Sequence, residues 1–515
     1  MPFTESAFEN AILDIFRNQL GYQTLYGPNI ERDYRCPFIE THLQQGVRAA
    51  NPGAHEAALK EALYRLHNLE GGSLVQRNER FMDWLQNGIE VSYSDRGVQK
   101  ATLVKLLDYE CHENNSFVAA NQWTFIEHAE KRPDLVIFVN GMPLVVVEIK
   151  SPSREQTDVS AAYRQIRNYT HDIPTLFQYN AFAIISDMAT TRVGTITSPE
   201  GRFMEWKTVD GNYENTSFAS FDTLFLGMFA KTRFLDIVRS FLCFSKENEG
   251  DHKILAGYHQ YFAVKKTVLS TRRATETDGK GGVFWHTQGS GKSLSMVFFA
   301  RLLQEVLNGP TLVVMTDRND LDNQLYTQFA KCKDFLRQTP EQAESRAHLK
   351  KLLEGRTANG IIFTTMQKFE EQDEPLSLRR NLIVIADEAH RGQYGLEERV
   401  DARTGRIVLG SARIIRDNLP HATFIGFTGT PIELKDRNTR EIFGDYIDVY
   451  DMTQSVEDGA TRPVYYESRV IHLKLKEDIL EQIDDEYALM SEDAKPEDIE
   501  KSKRDLSKLD SILGA

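Results

Sequence analysis

Val283-Phe284-Trp285-His286-Thr287-Gln288-Gly289-Ser290-Gly291-Lys292-Ser293 runs directly into Leu294-Ser295-Met296-Val297-Phe298-Phe299-Ala300. An apolar strand-like run enters a glycine-rich turn, Gly-Lys-Ser follows, and an apolar helix-forming segment leaves. That order is the context a phosphate-binding loop requires. Backbone N–H groups around Gly289, Ser290 and Gly291 would wrap the β- and γ-phosphates of ATP, with the positive end of the outgoing helix behind them. Lys292 is expected to neutralise phosphate charge and Ser293 to ligate Mg²⁺. His286 stands where the first glycine of G-x-x-x-x-G-K-[ST] is usual. The loop stays competent because the close approach falls on Gly289 and Gly291. A chance Gly-Ser-Gly turn with a solvated lysine is the competing reading, and the flanking strand and helix patterns disfavour it.

Downstream, Leu382-Ile383-Val384-Ile385-Ala386-Asp387-Glu388-Ala389-His390 is a second apolar run ending in acids. Asp387 is placed to reach Mg²⁺, and Glu388 to polarise the attacking water. Residues 311–316 and 361–365 read as further buried strands, and 424–428 as another that ends in hydroxyls. In open α/β sheets ligands bind beyond the carboxyl ends of the strands. Asp317, Arg318, Thr364 and Thr365 therefore belong to a functional rim suited to contacting a DNA backbone, with loop capping as their plain alternative. Residues 271–282 read as a polar loop leading into the phosphate-loop strand.

Upstream, Arg132-Pro133-Asp134 opens Leu135-Val136-Ile137-Phe138-Val139, and Asn140-Gly141 joins it to Met142-Pro143-Leu144-Val145-Val146-Val147-Glu148-Ile149-Lys150. Two apolar strands around Asn-Gly predict a hairpin. Glu148 and Lys150 are two apart and share a strand face, and the hairpin returns Asp134 to the same end. Asp134 and Glu148 are hard oxygen ligands for Mg²⁺, and Lys150 can orient a water or balance transition-state charge. Together they suit metal-dependent phosphodiester cleavage. An exposed Glu-x-Lys strand face is the plain alternative, but the continuous apolar run before Glu148 predicts burial. Residues 6–20, 55–69, 77–88 and 232–243 predict helices, and 121–127, 181–186 and 203–207 strands. Ser6 and Glu9 have capping-box spacing, so Glu9 is expected to cap its own helix. Gln165 and Tyr169, in a helical segment, are four apart and share a face.

The acidic pair with its lysine, together with Gln165-x-x-x-Tyr169, resembles the PD-(D/E)xK nucleases of DNA-processing motors; there the Gln and Tyr support the site or contact DNA. The motor segments resemble superfamily 2 helicase-like motors. By that resemblance Gln260 reads the adenine edge, with a capping or surface role as its alternative, and the Thr428/Thr430 segment links nucleotide state to lobe movement. More narrowly, residues 285–293, 317–325, 442–446 and 465–469 resemble the R (restriction and motor) subunit of type I restriction-modification enzymes. The resemblance implies an α/β fold: a PD-(D/E)xK nuclease domain (1–248), then a RecA-like motor lobe with a parallel sheet and flanking helices (249–470). It also implies ATP-driven translocation of double-stranded DNA with Mg²⁺-dependent cleavage, and assembly with methyltransferase (M) and specificity (S) subunits. Residues 471–515 read as a charged helical segment, a linker or the start of a second motor lobe. No G-R-x-x-R-like arginine motif follows Arg469, so the chain reads as truncated before that lobe, with an incomplete ATPase. A repair-type helicase–nuclease is one alternative, and a docking module with vestigial sites is another; intact Asp134, Glu148, Lys150, Lys292, Ser293, Asp387 and Glu388 count against the latter.

Composition sets the outer bounds. At 515 residues the chain is long enough for about two to four domains. Cys36, Cys111, Cys243 and Cys332 form no C-x-x-C pair, so neither a disulfide framework nor a zinc site is expected. No apolar run approaches the roughly 18 residues of a membrane span, and no secretory signal is evident. The expectation is a cytoplasmic protein without a membrane partner. A net charge of −14 weighs against indiscriminate nucleic-acid binding, leaving DNA contact to local grooves.

Overall fold

Long apolar β-branched runs separated by amphipathic segments produce two large sheets, each covered by helices, beside four two-stranded ones among the described residues. The structure, a computed structural model, describes residues 5–150, 159–187, 189–213, 221–248, 250–316, 319–369, 374–389, 398–400, 407–409, 411–430 and 437–462. Residues Met1–Arg462 form one compact unit.

The amino-terminal sheet is mixed and has six strands, in the order Gln23–Tyr26, Phe117–Asn121, Leu135–Val139, Met142–Ile149, Phe182–Ser186, Thr191–Gly194. Its centre is the expected hairpin, with Val139 opposite Met142 and Leu135 opposite Val147. Asn140 and Gly141 take φ of 46° and 71°, as an Asn-Gly turn requires. A Cβ on Gly141 would stand 2.3 Å from the Ile39 carbonyl oxygen, so only glycine lets the turn pack there. Asn140 is wholly buried, and its amide donates to Leu106 O and Asn115 Oδ1, each at 3.0 Å.

The second sheet has seven strands, all parallel, in the order Glu341–Gln342, Ile361–Thr365, Thr311–Thr316, Leu382–Ala386, Thr423–Thr428, Lys280–His286, Tyr446–Tyr450. The central strands are buried along their whole length, which is why they read as unbroken apolar runs rather than alternating ones. Every helix-to-strand return brings a carboxyl end to one edge, and that edge carries the phosphate loop.

Several expected boundaries shift. The strand expected at 121–127 is split: one strand runs Phe117–Asn121 and a two-residue strand forms at Phe125–Ile126; between them the backbone turns to give Gln122 and Trp123 N–H to the carbonyls of Asp134 and Pro133. No strand forms at 203–207, where Met204 makes only an isolated bridge to Val193. The polar loop expected at 271–282 is mostly helix and strand: the helix Tyr258–Thr275 continues through it. Thr267 and Thr271 are fully buried and return their hydroxyls to the carbonyls four residues back, so polarity there does not mean solvent.

One apolar core joins the two halves. Phe229 meets Phe234 at 5.0 Å, Phe241 meets Phe298 at 5.6 Å, and Phe284 stacks on Phe427 at 4.6 Å. The polar stretch after Ser245 is tied down too: Lys246 reaches Glu79 at 2.6 Å and Asp251 at 3.0 Å. A division of labour at residue 248 is therefore a proposal about function inside one packed unit.

Candidate functional site

The hairpin register sets Asp134 beside Glu148 at one end of the amino-terminal sheet. Ile149 N–H donates to Asp134 Oδ2 at 2.8 Å. The Lys150 ammonium pairs closely with Glu148, donates to Ile149 O at 3.2 Å and lies 4.0 Å from Glu5. Burial, then the neighbouring Glu148 charge, pushes Asp134 up to about 8. Burial also raises Glu148, although Lys150 and the Tyr169 hydroxyl oppose the shift. Burial works against the Lys150 ammonium, but Glu148 and Asp134 outweigh it and hold it above its usual range. Glu148 is 3% exposed, and its Oε2 has no hydrogen-bond partner among the described residues. Two buried carboxylates with an orphaned oxygen are a liability in a plain core. A divalent cation would remove it, so the donor set fits Mg²⁺. No cluster of three or more His, Cys, Asp or Glu suited to a metal occurs among the described residues, so water or backbone oxygens would complete the coordination.

The helix Val159–Asp172 brings Tyr169 and Gln165 to this site. The Tyr169 hydroxyl interacts with Gln165 and Glu148. It also lies 3.5 Å from the Arg132 carbonyl. Burial and the two acids hold its pKa well above the usual phenol value. The first helix supplies what sequence reasoning missed. Glu9 is not a cap: it is buried, and its carboxylate accepts from the side-chain amides of Asn121 and, at 2.7 Å, Gln122. Glu5 and Glu9 are one helical turn apart and face the acid pair's end of the sheet; their four-residue spacing was the available signal.

The phosphate loop is open-handed by contrast. Gly289 and Gly291 adopt φ of 89° and 87°, and the helix Lys292–Val306 starts directly after them. Lys292 and Ser293 are half-buried. The Lys292 ammonium lies against Gly429, where an added Cβ would approach it to 2.3 Å, so the segment holding Thr428 and Thr430 borders the loop. Thr428 Oγ1 accepts from Thr430 N–H at 3.4 Å. Asp387 and Glu388 leave the neighbouring strand half-buried; Glu388 takes φ of 52°, a left-handed backbone that a non-glycine residue adopts at a cost. Glu388 N–H donates to Asp387 Oδ1 at 3.0 Å. Gln260 is turned inward: its Oε1 accepts from Gly257 N–H at 2.9 Å and its Nε2 donates to Gly291 O at 3.0 Å. It ties its own helix to the loop, and adenine reading by this residue stays a proposal.

A buried polar network stands behind the loop, and the sequence did not single it out. His286 Nε2 lies 3.0 Å from Asp448 Oδ2, and Lys266 lies 2.6 Å from Asp448 Oδ1. His259 stacks on Tyr450 at 4.2 Å and meets Ser290 O at 3.2 Å. Burial, with His286 beside it, lowers His259 to about 4. Burial likewise lowers His286 despite its carboxylate partner, while the His286 hydrogen bond and the Lys266 charge outweigh burial at Asp448 and keep it ionised. His286 thus replaces the usual glycine with a side chain anchored below the loop. Of the rim residues, Thr364 and Thr365 end their strand buried. Asp317, Arg318, His390, Pro431 and everything from residue 463 on, including the 465–469 motif and the 471–515 segment, lie outside the described residues.

Comparison with known proteins gives matches along most of the chain. Residues 2–202 match the family model for the type I restriction enzyme R protein N terminus, and residues 259–500 match the SWI2/SNF2 ATPase model. The chain is 42% identical over 456 residues to the type I restriction enzyme HindI endonuclease subunit of Haemophilus influenzae, covering 85% of this chain and 43% of that one. It is 29% identical to the SsaAORF53P endonuclease subunit of Staphylococcus saprophyticus, covering 71% of this chain and 37% of that one. The chain thus spans less than half the length of either relative. The solved structure of an ATP-dependent type ISP restriction-modification enzyme, LlaBIII, bound to DNA aligns at 13% identity, with a TM-score of 0.29, over 62% of this chain and 21% of that one; an overlap that low carries no argument.

Proposed function

Taking as premise that the chain belongs to the type I restriction enzyme R protein family, we propose that it is the DNA-cleaving and motor portion of such a subunit. The buried Asp134–Glu148 pair, with Glu148 Oε2 unpartnered and Lys150 closing one side, is the observation that carries this reading. In the proposal Asp134 and Glu148 hold Mg²⁺, which when bound activates water and offsets charge on the scissile phosphate. Lys150 positions the attacking water or balances the charge that develops. Tyr169 and Gln165 hold Glu148 in place. Glu9, locked between Asn121 and Gln122, fixes the strand that precedes Asp134.

At the second site Gly289, Ser290 and Gly291 offer backbone N–H groups to ATP phosphates, Lys292 neutralises their charge, and Ser293 with Asp387 holds the Mg²⁺ of the nucleotide. Glu388 orients the hydrolytic water. Duplex DNA is the substrate of both activities, M and S subunits are the partners, and the compartment is the cytoplasm; no helix among the described residues is long and apolar enough to cross a membrane. The nuclease assignment is tested by nicking of supercoiled DNA in the assembled complex with Mg²⁺. Asp134→Ala should abolish nicking and leave ATP binding intact, and unchanged nicking would sink it.

A further inference from the structure

Away from both sites, a cavity of about 340 Å³ opens where the amino-terminal half meets the motor sheet. Its charged walls come from elements far apart in the chain. The helix Lys231–Ser240 supplies Arg239, the helix Lys292–Val306 supplies Arg301 and Glu305, and Arg337 follows the short helix Lys333–Leu336. Lys105 and Glu110 complete the charged lining. Four cations thus face two carboxylates in a chain whose net charge is −14. A random patch of this protein would lean the other way.

The hydrogen bonding inside the cavity is incomplete. The Arg301 side chain is only 8% exposed, yet its Nε has no hydrogen-bond partner among the described residues, and neither does the buried Nε of Arg239. One carboxylate serves both guanidiniums: Glu305 lies 3.2 Å from Arg301 and 3.4 Å from Arg239. Arg301 spends one further N–H on Asn87 at 3.1 Å. Arg337 is exposed and makes no ion pair among the described residues. Burial lowers the Arg301 pKa, and Arg337 and Arg239 push the same way, so the three like charges act on one another. Buried donors are normally satisfied, and guanidiniums match oxyanions through planar forked hydrogen bonding.

We propose that this cavity binds a phosphoryl oxyanion. Three guanidiniums from three separate elements suit a tetrahedral group with two or more free oxygens better than a single planar carboxylate. The bound group accepts from guanidinium N–H groups of Arg301 and Arg239, and Arg337 closes over it from the solvent side. It bridges the helix of Arg239 to the same helix that begins at Lys292, so its occupancy bears on the joint between the two halves. The phosphoryl group can be free phosphate or part of a DNA backbone, and the two sources separate experimentally.

The test uses the full chain carrying Lys292→Ala, so that the phosphate loop contributes little. Inorganic phosphate is titrated by calorimetry and ³¹P line width, and a short duplex DNA is titrated in parallel. Arg337→Asn is the informative variant, because Arg337 is exposed and asparagine tolerates its φ of 54°. Arg301→Lys, which keeps the charge and loses the fork, is the second. Saturable phosphate binding weakened at least tenfold by both variants supports a site for free phosphate. A tenfold loss confined to the duplex titration supports the same site filled by a DNA phosphate. If neither probe responds to either variant, the cluster is structural and the proposal fails.

Discussion

The two sites sit at strand ends but are built from opposite materials. The phosphate loop is made of backbone: Gly289 and Gly291 at positive φ present N–H groups and a helix start. The acid pair is made of side chains forced together in a core, where burial raises both carboxylates and one oxygen has no hydrogen-bond partner among the described residues. A backbone site costs little when empty, since water can solvate its N–H groups. A buried-charge site carries unresolved electrostatic cost until a cation arrives. The difference teaches where each site is vulnerable: the loop to changes of backbone freedom, the acid pair to changes of charge.

The largest expected effect comes from deleting a carboxylate. Glu148→Ala should reduce Mg²⁺-dependent nicking by at least about 100-fold, since even outer-shell partners of a metal cost 10–100-fold. It should leave nucleotide binding unchanged, and loss of both together would break the comparison. Next comes the backbone test. Gly291→Ala forces a φ of 87° on alanine and sets its Cβ 2.8 Å from Gln260 Nε2. It should cost about 1–2 kcal/mol of stability and weaken ATP binding, read by denaturant unfolding and fluorescent-nucleotide titration. A similar loss, about 1–3 kcal/mol, is expected from Asp448→Ala, because it strands the buried His286 whose Nε2 it accepts from.

A gentler test exploits pH. The Asp134 carboxyl is raised to about 8 in the fold from roughly 3.9 in an unfolded chain. Its protonated form is therefore the favoured one in the metal-free fold: the contribution to stability is complete below about pH 4 and is lost as pH climbs through about 8. Without Mg²⁺, thermal stability should fall across that window, and Asp134→Asn should flatten the slope. With Mg²⁺, which must displace the proton, the stabilisation should grow toward pH 8 and vanish in the variant. An unchanged slope in Asp134→Asn would show that the acid pair is not the source. The smallest effect is expected of Glu9→Gln, which keeps the packing but weakens two charge-assisted bonds to Asn121 and Gln122; nicking should drop several-fold while ATP binding stays level.

Legibility followed the same divide. The loop was readable because glycine at 289 and 291 encodes conformation locally, and the Asn140-Gly141 hairpin was readable for the same reason. Asp134, Glu148 and Lys150 were readable as a set only because a continuous apolar run implied burial. Glu9 was misjudged because capping is a local rule, whereas its actual partners are more than a hundred residues away. Asp448 and Lys266 were invisible, since an isolated Asp in Tyr446–Tyr450 and a lysine on a helix carry no local pattern.

By itself the amino-acid order determined the two large sheets, the hairpin, the glycine turn at 289–291 and the family, because periodicity, glycine conformation and apolar runs are short-range properties of the chain. Tertiary packing alone decided that both halves share one core through contacts such as Phe241 with Phe298, that His286 is anchored on Asp448, and that Arg239, Arg301 and Arg337 meet around one cavity. Charge and burial depend on what lies close in space, and no local pattern in the chain states which distant residues those will be.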